Sequence, residues 1–203
     1  MIYYIGGSPC CGKSTIAEIL AAKHGFHHFK LDDHLMEHMQ RGVREGYEIF
    51  KRVTLMSTED MWMREPAELC REEISIYEIM FSYAINDLTY LPKDKPIVAE
   101  GAGFLPQLMK EIFVNKSHYI CIVPTRDFQI NTYSKRPWID QYLANCTDKD
   151  AAFNNWMQRD ILFAETVLCQ AKELDYHTLV VDGATGIDMN FSIVEKAFEL
   201  DFC

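Results

Sequence analysis

The sequence is short of basic residues. Its 203 residues include 20 Lys and Arg against 30 Asp and Glu, which gives a formal net charge of −10. Binding to a nucleic-acid duplex depends largely on a basic face that releases counterions. We therefore expect no nucleic-acid partner. A small anion can still bind, because salt screens distant charges beyond about 10 Å.

Long apolar runs and paired cysteines are missing as well. No segment approaches the roughly 20 apolar residues of a membrane span, and the run Ile2–Ile5 is far shorter than the apolar core of a secretion signal, about 7–15 residues. The seven cysteines include no C-x-x-C pair, and their odd number argues against a disulfide framework or a structural zinc site. We expect a cytoplasmic protein with reduced thiols and no membrane association.

Short apolar runs alternate with helical patterns along the chain. These runs predict five strands, at 2–5, 26–31, 97–99, 119–123 and 178–181. Helical spacing of apolar residues separates them. This alternation predicts an α/β fold with a parallel sheet and right-handed crossovers. Ligands of such sheets bind beyond the carboxyl ends of the strands.

Two segments differ from a minimal crossover. Residues 34–90 are long enough for several helices, with breaks predicted around Gly42 and Gly46 and a new helix starting near Pro66. Residues 125–150 are polar and charged, with weak periodicity. We predict one domain over 1–203, in which 34–90 is a helical insertion near the carboxyl edge of the sheet.

The strongest motif follows the first predicted strand and opens the first predicted helix. It fits the P-loop pattern G-x-x-x-x-G-K-[ST], in which glycines allow a tight turn whose backbone N–H groups surround phosphate oxygens. We expect the nucleotide to contact Gly7, Ser8, Pro9, Cys10, Cys11, Gly12, Lys13, Ser14 and Thr15. Lys13 should reach the β- and γ-phosphates, and the Ser14 hydroxyl should ligate Mg²⁺. The alternative is a glycine-rich turn that binds no phosphate.

With this motif and this order of elements, the chain resembles the nucleoside monophosphate kinase-like branch of P-loop proteins, which also holds shikimate, gluconate and adenylylsulfate kinases. Only the P-loop is a highly specific motif. The resemblance implies a three-layer fold with a five-stranded parallel sheet in the order 2-3-1-4-5. It also implies a small-molecule acceptor bound by the insertion and a mobile lid, which we place at 125–150. We expect ATP and Mg²⁺ as cofactors, and a monomer or homodimer.

Three carboxylates at predicted strand ends are candidates for handling the acceptor. Asp32 and Asp33 follow the second strand, and Glu100 closes the third. The resemblance implies that an acidic residue after the second strand binds Mg²⁺ through water or accepts the proton of the attacking hydroxyl, a role that this chemistry requires. Adjacent residues of an extended segment point in opposite directions, which slightly favours Asp33 as base and metal ligand if Phe29 and Leu31 both point into the core. Asp32 as a helix cap, and Glu100 as the base or as a solvated strand end, remain open.

Three arginines are candidates for charge stabilisation. The resemblance implies that Arg126 packs on adenine, and that Arg136 in the lid and Arg159 on the next helix approach the phosphates. Guanidinium groups over the γ-phosphate suit phosphoryl transfer, which depends on positioning and charge neutralisation. The alternative for each is a surface ion pair.

The remaining polar clusters have simpler interpretations. His34 and His38 share a helix face without an E-x-x-H partner, so we expect them to be surface or partly packed residues. Cys10 and Cys11 lie beside a helix N-terminus, which can lower a thiol pKa. Thiol oxidation that blocks nucleotide binding is therefore a hypothesis.

Together these features predict an ATP-dependent kinase acting on a small hydroxylated or phosphorylated metabolite. A nucleotide or nucleoside is the second candidate acceptor. The cations available in the insertion for a phosphorylated acceptor are Arg41, Arg44, Arg52 and Arg64. The alternatives are a regulatory NTPase without an acceptor, and a degenerate module, which the intact Lys13 and Ser14 disfavour. A guanine-specific Asn-Lys-x-Asp sequence is absent, since the segment at 115–118 ends in His.

Overall fold

The computed structural model describes residues 1–200 of the chain. Its strands are β1 (Ile2–Gly7), β2 (His27–Lys30), β3 (Ile97–Glu100), β4 (Tyr119–Pro124) and β5 (His177–Val181). All neighbouring pairs are parallel, and the strand order is β2-β3-β1-β4-β5. The predicted fold class and strand order are confirmed.

Helices fill the connections between the strands. In order, they are α1 (Lys13–His24), α2 (Leu35–Arg44), α3 (Glu48–Leu55), α4 (Thr58–Trp62), α5 (Pro66–Tyr90), α6 (Pro106–Glu111), α7 (Arg126–Tyr133), α8 (Ile139–Tyr142), α9 (Lys149–Glu173) and α10 (Ile187–Ala197). Short 3-10 turns occupy Leu31–His34 and Lys116–His118.

Apolar side chains cover both faces of the sheet. On one face, Ile16 and Leu20 of α1 and Val194 of α10 belong to the same buried cluster as Ile5 and Ile122 of the strands. On the other face, α5, α6 and α9 bury a second cluster that includes Phe81, Met109 and Phe163. All six residues of β4 are buried, as the apolar run predicts for a strand covered on both faces.

Along the chain, helices α2 to α5 connect β2 to β3, where the sequence predicts the insertion. Gly42 does not break a helix; it lies inside α2, where an added Cβ would come 2.3 Å from the Phe50 ring. The glycine is therefore explained by close packing of α3 on α2. The chain turns instead at Gly46, which has a φ of +90°.

Residues 125–150 are more ordered than their weak periodicity indicates. They contain α7 and α8 and contribute to an apolar cluster shared with α4, α5 and α9. At its centre, the rings of Trp62 and Trp156 stack at 4.7 Å with an interplanar angle of 17°. This cluster joins the region predicted as a lid to the insertion.

The state of the cysteines and the apolar content of the helices can be compared with the expectations from composition. Six cysteines are free thiols, and Cys203 lies outside the described residues. None of the helices formed within residues 1–200 has the length and apolar content needed to cross a bilayer.

Candidate active site

The phosphate loop makes its tight turn at the carboxyl end of β1. Gly7 has a φ of +118°, and a Cβ there would lie 1.8 Å from the carbonyl oxygen of Ile122. The next residue, Ser8, donates its backbone N–H to that oxygen at 3.1 Å. Cys10 and Gly12 also have positive φ values, 66° and 82°. A loop in which residues with positive φ are interspersed with residues of ordinary φ turns its N–H groups toward a common centre, which suits an anion.

The loop ends at the N-terminus of α1. Gly12 occupies the N-cap position and no side chain caps the helix. The first intrahelical bond runs from the Ile16 N–H to the Gly12 carbonyl at 3.0 Å. The N–H groups of the first turn therefore face the space beyond the helix end, where the helix dipole also favours negative charge.

Lys13 lies across the loop. Its Nζ donates to the Ser8 carbonyl at 2.7 Å and approaches Cys11 Sγ at 3.7 Å, and the residue is only 8% exposed. Burial lowers the pKa of Lys13, but the attraction of Cys11, Glu100 and Asp32 outweighs it, and the pKa is raised. The ammonium group is therefore charged at neutral pH.

A cavity of about 560 Å³ opens in front of the loop. Of the predicted catalytic residues, it brings together Lys13, Asp32, Glu100 and Arg136. The residues of the loop that line it are Pro9, Cys10, Cys11, Gly12, Lys13, Ser14 and Thr15. The cavity lies at the carboxyl edge of the sheet, as expected for this fold class.

The position of Asp33 corrects the preference drawn from strand alternation. The strand ends at Lys30, and a 3-10 turn begins at Leu31. Alternation therefore does not extend to the two aspartates. Both aspartates are exposed. Asp32 lines the cavity and helps to raise the pKa of Lys13, whereas Asp33 is not among the lining residues.

Glu100 is not a solvated strand end. It is 1% exposed, and its Oε1 has no hydrogen-bond partner among the described residues. Burial raises its pKa, while Lys13 and Ser14 act in the opposite direction. The Ser14 hydroxyl and the carboxylates of Asp32 and Glu100 are hard oxygen donors of the kind that Mg²⁺ prefers. The unpartnered oxygen of Glu100 makes this set a fitting place for a hydrated cation.

Arg136 reaches the phosphate loop from the predicted lid. Its Nη2 donates to Cys10 Sγ at 3.1 Å, and its guanidinium carbon lies 4.5 Å from the centre of the Tyr133 ring. Burial raises the pKa of the Cys10 thiol to about 11, although Arg136 acts to lower it. Burial raises the pKa of Cys11 as well. Both thiol pKa values are thus raised rather than lowered at this helix N-terminus.

Arg159 does not line the phosphate cavity. It pairs with Glu73 of α5 and with Asp160, whose Oδ1 lies 2.6 Å from the Arg159 Nε. Its guanidinium carbon is 5.0 Å from the centre of the Trp62 ring. Arg159 lines a second cavity next to the first. The ion pair that the sequence left open as an alternative is what the structure contains.

Arg126 also lies away from the phosphate cavity. It is exposed, donates to Gln158 at 3.2 Å, and lines a separate cavity of about 250 Å³ beside α9. Its predicted packing on adenine remains a prediction.

Sequence reasoning missed several residues that line the phosphate cavity. They are Lys30, Leu35, Tyr77, Gly101, Ala102 and Tyr133. Tyr77 lies at helical spacing from the apolar residues Ile74 and Phe81 of α5, and this pattern indicates packing. Its hydroxyl nevertheless donates to Glu73 Oε1 at 3.2 Å. A phenol within an otherwise apolar stripe was the available signal, since buried tyrosine hydroxyls usually have a partner.

Two of the early histidines form a polar cluster with Asp87 of α5. His38 is buried, and its Nε2 lies 2.6 Å from Asp87 Oδ2; His34 Nδ1 is 3.7 Å from the same oxygen. One ligand atom from each of the three residues lies within 4.8 Å of the others. The contact of His38 with Asp87 connects α2 to α5 within the insertion.

Comparison with solved structures supports this architecture. Similar structures include TT1252 from Thermus thermophilus (TM-score 0.53, 14% identity, covering 100% of this chain and 98% of that one). Shikimate kinase from Bacteroides thetaiotaomicron has a TM-score of 0.51 at 13% identity, covering 100% and 99%. Deoxyadenosine kinase from M. mycoides with bound dATP has a TM-score of 0.52 at 15% identity, covering 98% and 100%.

At such low identity these likenesses show the fold alone. The fold that the sequence predicts is confirmed, because the chain shares the architecture of these solved structures. No model of a known protein family and no curated protein matches the chain.

Proposed function

We propose that this protein is an ATP-dependent phosphotransferase that moves the γ-phosphoryl group to a small-molecule acceptor. The observation that carries the proposal is the convergence of Lys13, Asp32, Glu100 and Arg136 on one cavity at an uncapped helix N-terminus. Each supplies a function that phosphoryl transfer needs. Two of the similar structures are a shikimate kinase and a deoxyadenosine kinase, which supports the same class.

The loop and Lys13 bind the phosphates in this proposal. The N–H groups at the start of α1 donate to phosphate oxygens, and the charged Lys13 exchanges its bond to the Ser8 carbonyl for a phosphate oxygen. Arg136 adds a second positive charge, next to Cys10 in the middle of the loop. These groups stabilise the charge on the transferring phosphoryl group because they are fixed before reaction.

Ser14 and Glu100 would hold Mg²⁺, which supplies charge neutralisation at the phosphates when bound. Of the two carboxylates in the cavity, Glu100 is buried beside Lys13 and Ser14, which suits the cation. Asp32 is exposed and lies near Tyr77, whose pKa is raised mainly by burial and also by the charges of Glu73 and Asp32. We therefore assign the acceptor hydroxyl to Asp32, which would orient it and accept its proton.

The test is ADP release from Mg·ATP in the presence of a metabolite library. We expect release that depends on an acceptor, and Lys13→Ala should reduce it by roughly 10³-fold or more because a preorganised charge is lost. Lys23→Ala on the same helix is the matched control, since Lys23 pairs with Glu195 away from the cavity. Release that needs no acceptor would favour a regulatory NTPase. Equal activity of the Lys13 variant and the control would remove the proposed role of the loop.

A further inference from the structure

A second cavity of about 440 Å³ adjoins the phosphate cavity. Leu35 and Tyr77 line both, so the two share a wall. The second cavity, here called the insertion chamber, is formed mainly by α2 to α5, with Tyr142 of α8 and Arg159 of α9. Its volume falls within the roughly 300–1,000 Å³ range of small-molecule sites.

The walls of the insertion chamber are mostly apolar. The apolar residues that line it are Leu35, Met36, Met39, Val53, Met61, Trp62, Leu69 and Ile76. Three of these are methionines, whose unbranched thioether chains adapt to the shape of a ligand. One of these methionines, Met36, leaves 68% of its surface exposed to solvent. An apolar molecular body placed here would remove this surface from water.

The charges at the insertion chamber are already paired with one another. Arg159 is the one guanidinium among its described lining residues, and it pairs with Glu73 and Asp160. At the rim, Arg64 and Arg52 both pair with Glu72, with Arg64 Nη1 at 2.8 Å from Glu72 Oε1.

This pairing selects against anionic ligands. A phosphate or carboxylate in the chamber would have to compete for a guanidinium that already has a carboxylate partner. It would also face Glu72 and Glu73, and like charges at close range in a partly dry site are costly. If the ligand took Arg159 from Glu73, the Glu73 carboxylate would be left without a partner in a mostly buried position, which is unfavourable.

A polar connection marks the junction of the two cavities. The Tyr77 hydroxyl donates to Glu73 on the chamber side. Asp32 lines the phosphate cavity beside the same residue. A ligand with its apolar body in the chamber can thus direct a hydroxyl group past Tyr77 toward Asp32.

We propose that the insertion chamber binds the phosphoryl acceptor, and that this acceptor is an uncharged alcohol with a largely apolar or aromatic body. The inference rests on the proposed kinase function and narrows it. The acceptor oxygen forms a bond to the γ-phosphorus, and the bond from that phosphorus to the β–γ bridging oxygen breaks. ADP takes the electron pair, and the hydroxyl proton passes to Asp32.

The test compares acceptors in matched pairs, with ADP release as the readout and ATP binding measured separately by calorimetry. The pairs are adenosine with its 5′-monophosphate, thymidine with its 5′-monophosphate, and pyridoxine with its phosphate; glucose and shikimate serve as polar and anionic controls. We expect kcat/KM to be at least tenfold higher for an uncharged aromatic alcohol than for its phosphorylated partner. Higher values for a phosphorylated or anionic acceptor would overturn the inference and leave the kinase function intact. Release with no acceptor, despite ATP binding, would overturn both.

Variants of the chamber give a second measurement. Glu72→Gln removes the carboxylate that pairs with Arg52 and Arg64. We therefore expect the ratio of kcat/KM for the uncharged acceptor to kcat/KM for its phosphorylated partner to fall about tenfold, without a change in ATP affinity. Glu78→Gln, an exposed position on the same helix, is the matched control. Met39→Glu should raise the KM for the uncharged acceptor at least tenfold, with folding checked by circular dichroism. If neither variant changes the acceptor kinetics, the chamber does not bind the acceptor.

Discussion

The guanidinium group of Arg136 lies 3.1 Å from the sulfur of Cys10, so a residue of the predicted lid contacts the middle of the phosphate loop. The two residues are 126 positions apart in sequence. Arg136 is held there by the rings of Tyr133 and Trp138, which lie 4.5 Å and 5.8 Å from its guanidinium carbon. The contact places a fixed positive charge at the edge of the phosphate cavity.

Replacement of Arg136 by alanine should therefore reduce catalysis more than binding. We expect kcat to fall by roughly 10²–10³-fold, as for loss of one preorganised group that stabilises developing charge. The KM for ATP should change much less, because the loop amides and Lys13 remain. Steady-state kinetics with the best acceptor measures both constants. Lys135→Ala, at the adjacent exposed position, controls for loss of charge in this region; equal kcat values for the two variants would contradict the assignment.

The Cys10 thiol should react slowly with alkylating reagents at neutral pH. Burial raises its pKa to about 11, so the reactive thiolate is scarce at pH 7. Its fraction should grow about tenfold with each pH unit up to the pKa. Arg136→Ala should slow alkylation further, because Arg136 lowers the thiol pKa. Mass spectrometry of iodoacetamide-treated protein between pH 7 and 10 measures the rate at this site. Rapid labelling at pH 7 would instead support the oxidation hypothesis.

The sequence predicts the layout of this molecule better than the details of its site. The P-loop motif and the five apolar runs identify the fold, because backbone turns and strand burial depend on local residue patterns. The preference for Asp33 over Asp32 assumes an extended backbone, whereas a 3-10 turn begins at Leu31, so strand alternation could not place these two side chains. The partner of Arg159 is not predictable from spacing, since Glu73 lies 86 positions earlier and is brought close by the packing of α5 on α9.

Gly7→Ala should destabilise the protein far more than Gly25→Ala. Both glycines have positive φ values, +118° and +68°, but a Cβ at Gly7 would lie 1.8 Å from the Ile122 carbonyl oxygen, whereas nothing lies within 4 Å at Gly25. Gly25→Ala should thus cost about 1–2 kcal/mol from backbone strain alone. Gly7→Ala adds a clash that displaces β1 from β4, and we expect a loss of more than about 3 kcal/mol. Urea denaturation compares the two, and similar losses would mean that the backbone relaxes around the added methyl group.

Glu100→Gln should stabilise the protein at neutral pH while weakening its use of Mg²⁺. Burial raises the pKa of Glu100 in the folded state. Such a group favours the folded state most below its unfolded pKa, near 4.5, and loses that contribution as pH rises through the folded value. The neutral amide removes this penalty, so the stability gain should appear at pH 7 and vanish below about pH 4.

The same substitution removes one oxygen anion from the proposed metal-binding set. Mg²⁺ affinity in the presence of ATP should fall by about 10–100-fold, the usual effect of losing a group that orients a bound metal. Urea denaturation at pH 4 and 7, with Mg²⁺ titration of the ATP complex, measures both consequences. Asp33→Asn is the control, because Asp33 is exposed and does not line the cavity. Unchanged Mg²⁺ affinity of the Glu100 variant would overturn the assignment to Mg²⁺, and a loss of stability at pH 7 would show that the carboxylate stabilises the fold without a cation.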